Sequence, residues 1–183
     1  MSSVDEKLRA AAGYGNEAEL KELLRDPSCN ALNADEMGMT ALMWAAYQGH
    51  EACVRLLLPV SAAPAKNKNR QTALMCAGYG GHEACVLLLL PVSDAAAADA
   101  DGWTTLMWAA NYGHEDCVQL LLPLSDVQAR DNNGLTASYS ARSRGCESVA
   151  QFIDAYALAQ TEHATIEEAA SPSTPRKRAA QRV

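Results

Sequence analysis

The hydrophobic and polar positions of this chain repeat with a fixed period of 32 residues. A segment reading GMTALMWAAYQGHEACVRLLLP occupies residues 38–59, and close copies occupy residues 70–91 and 102–123. A fourth, more divergent copy occupies residues 134–153. A period between about 20 and 50 residues indicates a stacked array of small structural units.

Each copy predicts two short helices separated by a glycine. In the first copy, Thr40 suits the N-cap of a helix over residues 41–47, and Gly49 suits its left-handed C-terminal cap. Glu51 begins a second helix, and Pro59 prevents that helix from continuing. Helices of about eight residues are unstable alone, so we expect the stability to come from contacts between neighbouring units.

A four-residue turn precedes each of these helix pairs. The turns occupy residues 35–38, 67–70, 99–102 and 131–134. Asp or Asn at the first position and Gly at the fourth favour a type I turn. Arg70 replaces the glycine in the second turn, which predicts a strained arginine if the backbone there has a positive φ.

The order of a D-x-x-G turn, a T-x-L-x-x-A helix, a Gly-His pair and a V-x-x-L-L helix resembles the ankyrin repeat. The resemblance covers residues 4–156 and implies an all-α ankyrin-repeat solenoid of stacked helix-turn-helix units with β-turn fingers. The 32-residue period and the TALM and LLLP motifs resemble a short variety expanded in some parasitic protists. Met43, Met75 and Met107 stand where the family has a histidine that braces the turn, so that bracing must be missing or replaced.

This frame divides the chain into seven segments. Residues 1–34 are expected to form an N-terminal capping unit that bears charges at Asp5, Glu6, Lys7 and Arg9. The segments that follow are three repeats (35–66, 67–98 and 99–130), a degenerate C-terminal capping unit (131–156), a helical extension (157–170) and a basic disordered tail (171–183).

The capping unit and the extension predict one long helix from residue 147 to about residue 170, because no Gly or Pro interrupts them. A rough apolar stripe runs along this helix. It consists of Val149, Phe152, Ile153, Tyr156, His163 and Ile166.

Charge and cysteine content narrow the function classes. The net charge is -7, and the tail holds four of the 15 basic residues and no acid, which leaves 11 basic against 22 acidic residues in the body. An acidic body argues against a nucleic-acid ligand. The start is polar and the longest apolar run has eight residues, so neither a signal peptide nor a membrane span is expected. The six cysteines are interpreted as reduced thiols of a cytoplasmic protein.

Two features suggest chemistry, and neither predicts a catalytic or metal site. Three His-Glu-x-Cys sequences begin at His50, His82 and His114, but adjacent repeats stack about 8–10 Å apart, so the histidines cannot share one ion. The glycines of residues 78–81 lack the strand and the Lys-Ser/Thr of a phosphate-binding loop. We therefore expect structural histidines, core thiols, no enzyme activity, no metal and no cofactor.

The ankyrin resemblance implies that a protein partner binds to a concave surface formed by turn tips and first helices. These positions differ among the copies, whereas the packing positions repeat. The candidate binding residues are Met37, Met39, Tyr47, Gln48, Lys68, Asn69, Gln71, Tyr79, Asp101, Trp103, Asn111, Tyr112, Asn133 and Leu135. Trp103 is expected to be an exposed anchor without a core to enter, whereas Trp44 and Trp108 are interpreted mostly as packing residues.

The sequence thus predicts a non-catalytic adaptor or scaffold that is monomeric and binds a protein of unknown identity. The alternative is a structural or cytoskeleton-associated protein that self-assembles through the C-terminal helix. In the tail, Ser171 and Thr174 each precede a proline and are candidate phosphorylation sites, and the Arg-Lys-Arg sequence is a weaker candidate nuclear-import signal.

Overall fold

The computed structural model describes the backbone of residues 3–170 and the side chains of residues 4–162. This part of the chain forms ten α-helices in five consecutive pairs and contains no β-strand. The helices are α1 (Ser3–Tyr14), α2 (Glu17–Leu23), α3 (Ala41–Gln48), α4 (Glu51–Leu57), α5 (Ala73–Gly80), α6 (Glu83–Leu89), α7 (Thr105–Asn111), α8 (Glu115–Leu121), α9 (Ala137–Ser143) and α10 (Glu147–Ala170). The predicted all-α solenoid is confirmed.

The helix pairs stack so that each contacts the pair before and the pair after it. The first helices (α1, α3, α5, α7 and α9) pack in one row, and the second helices (α2, α4, α6, α8 and α10) pack in another. Ala45 and Ala46 are completely buried and allow the first helices to approach closely. Leu42, Val54 and Leu57 are also almost completely buried and belong to the hydrophobic core.

Local capping contacts define the helix boundaries. The backbone N–H of Met43 donates a hydrogen bond of 3.3 Å to Oγ1 of Thr40, and the threonine of every later copy makes the same contact. Gly49 ends α3 with a φ of 78°. The second helix ends one residue earlier than predicted, since Leu58–Val60, which contains Pro59, forms a 3₁₀ turn.

The four predicted turns project as fingers from one edge of the stack. In the first finger Oδ1 of Asp35 accepts hydrogen bonds from the backbone N–H groups of Met37 and Met39. The backbone N–H of Lys68 donates to the carbonyl oxygen of Met37 at 3.0 Å, and equivalent bonds join each later finger to its predecessor. Arg70 has a φ of 61°, so the condition under which the sequence predicts a strained arginine is met.

The two ends of the stack differ from the central repeats. At the first unit, two of the four charged residues named from the sequence, Asp5 and Arg9, are buried. Asp5 accepts a hydrogen bond of 2.8 Å from the N–H of Asn30, and Arg9 donates to the carbonyl of Asn33, so these charges tie α1 to the following loop.

The last pair contains the long helix that the sequence predicts. Helix α10 continues to Ala170, and Val149 and Ile153 of its apolar stripe are buried against the stack. The side chains of His163 and Ile166, and the tail with Ser171 and Thr174, lie outside the described residues. Within the described residues, no helix combines the length and the hydrophobicity that crossing a bilayer requires.

Candidate protein-binding face

The four fingers and the first helices α3, α5 and α7 form one surface, which we name the finger–helix face. Helices α3, α5 and α7 contain no charged residue. The charges lie instead on the fingers and on the second helices, each of which has an acidic residue in its first turn. The finger–helix face is therefore neutral along its middle and charged at its finger edge.

Six aromatic side chains form a continuous aromatic ladder along the finger–helix face. Its members are Trp44, Tyr47, Tyr79, Trp103, Trp108 and Tyr112. Tyr47 stacks on Tyr79 with ring centroids 5.4 Å apart, and Tyr79 lies 4.6 Å from Tyr112. The hydroxyl of Tyr112 also donates a hydrogen bond of 3.2 Å to that of Tyr79. Pairs at these separations stabilise one another beyond the area they bury.

The phenols of Tyr47 and Tyr112 in the aromatic ladder stay protonated near neutral pH. Burial, followed by proximity to Tyr79, raises the pKa of Tyr47 above its ordinary value of 10.0. The hydrogen bond with Tyr79 raises the pKa of Tyr112 in the same way. The ladder therefore presents apolar ring faces and neutral hydroxyl groups to whatever binds there.

Two tryptophans of the ladder replace the bracing contact that the family's histidine would make. The indole N–H of Trp44 donates a hydrogen bond of 2.9 Å to Oδ2 of Asp35, and that of Trp108 donates one of 3.0 Å to Oδ2 of Asp99. Both tryptophans are only half-buried, so they brace the fingers and also contribute to the surface. The interpretation of Trp44 and Trp108 as packing residues therefore covered only one of their two roles.

The structure corrects the expectation for Trp103. Its ring is half-buried, packs against the core and lies 4.6 Å from the ring of Trp108. Its indole N–H donates a hydrogen bond of 3.1 Å to Oδ2 of Asp131 in the next finger. Trp103 is therefore a structural link between repeats as well as a member of the ladder.

The largest described cavity of this face lies between the third and fourth fingers. It has a volume of about 440 Å³ and is lined by Asp101, Trp103, Trp108, Asn111, Tyr112, Asn132, Asn133 and Arg144. Arg144 lies over Tyr112 at 5.7 Å from the ring centroid, and its Nε donates a hydrogen bond to Oδ1 of Asn111. Asn111 lines this cavity although its residue surface is only 5% exposed.

A second cavity, which we name the Cys76 socket, lies between the first and second repeats. It has a volume of about 200 Å³ and is lined by Met39, Tyr47, Gln71, Met75, Cys76 and Tyr79. Cys76 occupies the position that Trp44 and Trp108 occupy in the flanking repeats. A thiol is much smaller than an indole, so Cys76 fills less of the space beside it than a tryptophan at this position would.

A family model for ankyrin repeats matches three copies over residues 8–99 and 91–160. The chain belongs to the ankyrin-repeat family. Ankyrin repeats are generally protein–protein interaction modules and are typically non-catalytic. The match identifies ankyrin repeats in general and does not confirm the short 32-residue variety.

Curated relatives match one part of the ankyrin stack. Oxysterol-binding protein-related protein 1 from Rattus norvegicus, Mus musculus and Homo sapiens is 43% identical over 70 residues in each case. The match covers 37% of this chain and 7% of each relative. The similarity is therefore one of a repeat segment.

The other candidate binding residues of the ankyrin stack occupy three kinds of position. On the fingers, Met37, Lys68, Asn69, Asp101 and Asn133 are exposed. Leu135 is half-buried at the base of the fourth finger. Gln48 lines a cavity of about 280 Å³ with Arg9, Ala10, Gly13, Tyr14 and Trp44.

Sequence reasoning did not select five residues that line the Cys76 socket and the cavity between the third and fourth fingers. They are Met75, Cys76, Trp108, Asn132 and Arg144. The repeat frame contains a signal for Arg144, which stands 32 residues after Tyr112, and for Asn132, which aligns with Lys68. Residues that align with a candidate in another copy share its place in the ankyrin stack.

The three ankyrin-frame histidines join neighbouring repeats. Nε2 of His50, His82 and His114 lies 3.0–3.1 Å from the carbonyl oxygens of Gly13, Tyr47 and Tyr79 respectively. Since a carbonyl can only accept, Nε2 carries the proton in each case. Their interpretation as structural residues agrees with these contacts. Among the described residues, no group of three or more His, Cys, Asp or Glu side chains is arranged to hold a metal ion.

The buried cysteines behave as core residues. All six cysteines are free thiols, and four of them are buried. Burial raises the pKa of Cys76 to about 12 and those of Cys85 and Cys117 to about 11. These thiols therefore stay protonated at neutral pH and are poor nucleophiles.

Proposed function

We propose that this ankyrin-repeat chain is a non-catalytic adaptor or scaffold that binds a protein partner through the finger–helix face. The observation that carries the proposal is the aromatic ladder on helices without charged residues. Tyr, Trp, Met and Arg are enriched at protein interfaces, whereas Lys, Glu and Asp are depleted at their centres. The finger–helix face has that composition, with charged residues at its rim.

The contacts within the aromatic ladder also favour binding. Tyr47, Tyr79 and Tyr112 hold one another through ring stacking and a hydroxyl hydrogen bond, so their rotamers are restricted before a partner arrives. Ordering a flexible side chain at an interface costs about 0.5–1.5 kcal/mol. A pre-ordered ladder avoids most of that cost.

A recovery experiment with matched tyrosine variants tests this proposal. The immobilised chain is compared with a Tyr79→Ala/Tyr112→Ala variant, and Tyr139→Ala serves as the control. Tyr139 is an exposed tyrosine of α9 that makes no ring contact with the ladder in the described structure. Trp103 is left intact because its loss would also release the fourth finger.

The proposal predicts a protein recovered from a cell lysate by the native chain and by Tyr139→Ala, and lost with the double variant. Circular dichroism must show equal helix content for all three chains. Equal recovery by folded forms of all three would contradict the proposed surface.

Self-association through α10 is the second candidate function. Leu158 is 64% exposed, and it lines a groove of about 290 Å³ with Gln128, Asp154, Ala157 and Thr161. Sedimentation velocity of the native chain and of Leu158→Asp tests it. A dimer that Leu158→Asp dissociates supports this candidate, and a monomer across the concentration range opposes it. The cytoplasmic location stays a prediction, which cell fractionation tests.

A further inference from the structure

The second finger differs from its neighbours in charge. Lys66, Lys68 and Arg70, which we name the basic finger, all have exposed side chains. Within residues 4–162, none of them lies within ion-pair distance of a carboxylate. The exposed charges of the first and third fingers are acidic, at Glu36 and Asp101. The positively charged basic finger thus lies between two fingers whose exposed charges are negative.

Arg70 is also under backbone strain that the other fingers avoid. It is the only non-glycine residue with a positive φ in the described chain, and the other three fingers have glycine at this position. At Gly38 and Gly102 an added Cβ would lie 2.9 Å and 2.8 Å from a backbone nitrogen of the next finger. Strained residues that persist in a fold cluster at functional sites.

The Cys76 socket adjoins the basic finger. Gln71 follows Arg70 directly in the chain and lines the socket. The remaining lining consists of Met39, Tyr47, Met75, Cys76 and Tyr79, which offer thioether groups, phenol rings and a thiol. Sulfur and ring faces pack favourably against an aromatic side chain. At this frame position the flanking repeats have an indole, whereas Cys76 contributes only a small thiol to the socket.

We propose that the Cys76 socket and the basic finger form one subsite for an acidic peptide segment that carries a single aromatic side chain. The ring enters the socket, and the adjacent carboxylates pair with Lys66, Lys68 and Arg70. The acidic run is short, because Glu36 and Asp101 repel carboxylates on either side. This inference rests on the proposed function and specifies the chemistry of the partner.

Fluorescence anisotropy with three labelled peptides tests the subsite. Each peptide has one central tryptophan, followed by three glutamates, three glutamines or three lysines. The glutamate peptide is expected to bind the native chain about tenfold more tightly than the glutamine peptide, and its affinity is expected to fall with added salt. Equal affinity for all three peptides, or no binding of the glutamate peptide, overturns the inference.

Two variants separate the socket from the charges. Cys76→Trp fills the socket with the residue that Trp44 and Trp108 provide in the same frame, so the fold should tolerate it. It is expected to weaken binding of the glutamate peptide at least about tenfold, as loss of a buried anchor does. The variant Lys66→Gln/Lys68→Gln/Arg70→Gly is expected to bind the glutamate and glutamine peptides equally.

A matched triple variant controls for net charge. Lys7→Gln/Lys21→Gln/Arg25→Gln removes the same number of exposed cations from the first unit. It is expected to keep the preference for glutamate, and loss of the preference in this control would overturn the inference. If Cys76→Trp unfolds, the two triple variants still decide the charge requirement.

The two proposals fail in different ways. If the glutamate peptide does not bind but Tyr79→Ala/Tyr112→Ala still loses a lysate partner, the inference about the subsite fails and the proposed function stands. If the Tyr79→Ala/Tyr112→Ala variant recovers its partners normally, the proposed binding surface is contradicted, and the inference about the subsite is contradicted with it.

Discussion

The indole nitrogen of Trp103 lies 3.1 Å from Oδ2 of Asp131, so a side chain of one repeat holds the finger of the next. Trp103→Phe keeps an aromatic ring against Trp108 but removes this bond. We expect the free energy of unfolding to fall by about 1–3 kcal/mol, because a hydrogen bond to a charged acceptor is lost. Urea unfolding followed by circular dichroism measures the change, with Tyr139→Phe as the control. An unchanged midpoint would show that the bond contributes nothing.

Two aspartates of the fingers, Asp35 and Asp131, make the stability of the folded chain depend on pH in the acidic range. Burial by itself would raise the pKa of Asp35, but hydrogen bonds from Met39, Trp44 and Met37 hold it below its ordinary value of 3.8. Because the pKa is lower in the folded state, this stabilisation is complete above 3.8 and is lost as the pH falls through the folded value. Burial by itself would also raise the pKa of Asp131, but hydrogen bonds with Leu135, Asn133 and Trp103 hold that pKa below its ordinary value of 3.8.

The variant Asp35→Asn/Asp131→Asn tests this dependence. Asparagine keeps an acceptor oxygen but does not titrate in this range. We expect the native chain to lose more stability than the variant when the pH falls from neutrality to below the ordinary aspartate pKa. Urea midpoints at the two pH values measure the difference, and parallel losses in both chains would contradict the assignment.

Gly78 has no side chain at the place where the Thr105 side chain of the next repeat packs against it. A Cβ on Gly78 would lie 2.6 Å from Cγ2 of Thr105, whose hydroxyl is buried without a hydrogen-bond partner in the described structure. Gly78→Ala alone should therefore destabilise the chain by about 1–3 kcal/mol. Adding Thr105→Ala should restore at least native stability, because the clash with Cγ2 disappears, the buried unpaired hydroxyl is removed and alanine at position 78 favours the helix by about 1 kcal/mol. A double-mutant cycle measures this coupling, and additive effects would refute it.

Gly49 and His82 form a second coupled pair. A Cβ on Gly49 would lie 2.4 Å from Nδ1 of the His82 ring, and the φ of 78° adds strain. We expect Gly49→Ala to cost more than about 2 kcal/mol in the native chain and about 1 kcal/mol in a His82→Ala background, where only the backbone strain remains. Thermal and urea unfolding of the four chains give the two costs. Equal costs in both backgrounds would place the strain elsewhere.

Arg70 should lower stability where it stands. Replacing it by glycine removes a left-handed side-chain clash worth about 1–2 kcal/mol, so Arg70→Gly should raise the free energy of unfolding by about 1 kcal/mol. Lys68→Gly in the same finger, where no positive φ is relieved, serves as the control and should not stabilise. A destabilised Arg70→Gly chain would mean that the arginine side chain makes compensating contacts.

Much of the local structure could be predicted from the sequence, because it depends on short-range interactions. Thr40 caps its helix through an N–H three residues away, and the fingers close through bonds within five residues. The alignment of Arg70 with three glycines raised the question of a left-handed conformation, which the structure answers with a φ of 61°. Such features depend on neighbours along the chain, and the 32-residue period repeated the same evidence several times.

Only the stacked structure decided which candidate residues are accessible. The surroundings of Trp103, Asn111 and Asp5 are set by partners 25–33 residues away, in the following loop or repeat. The Cys76 socket likewise lies between two neighbouring units, with lining residues from both. A repeat pattern specifies which side of a unit meets its neighbour, whereas the burial of each side chain depends on how the two surfaces fit in three dimensions.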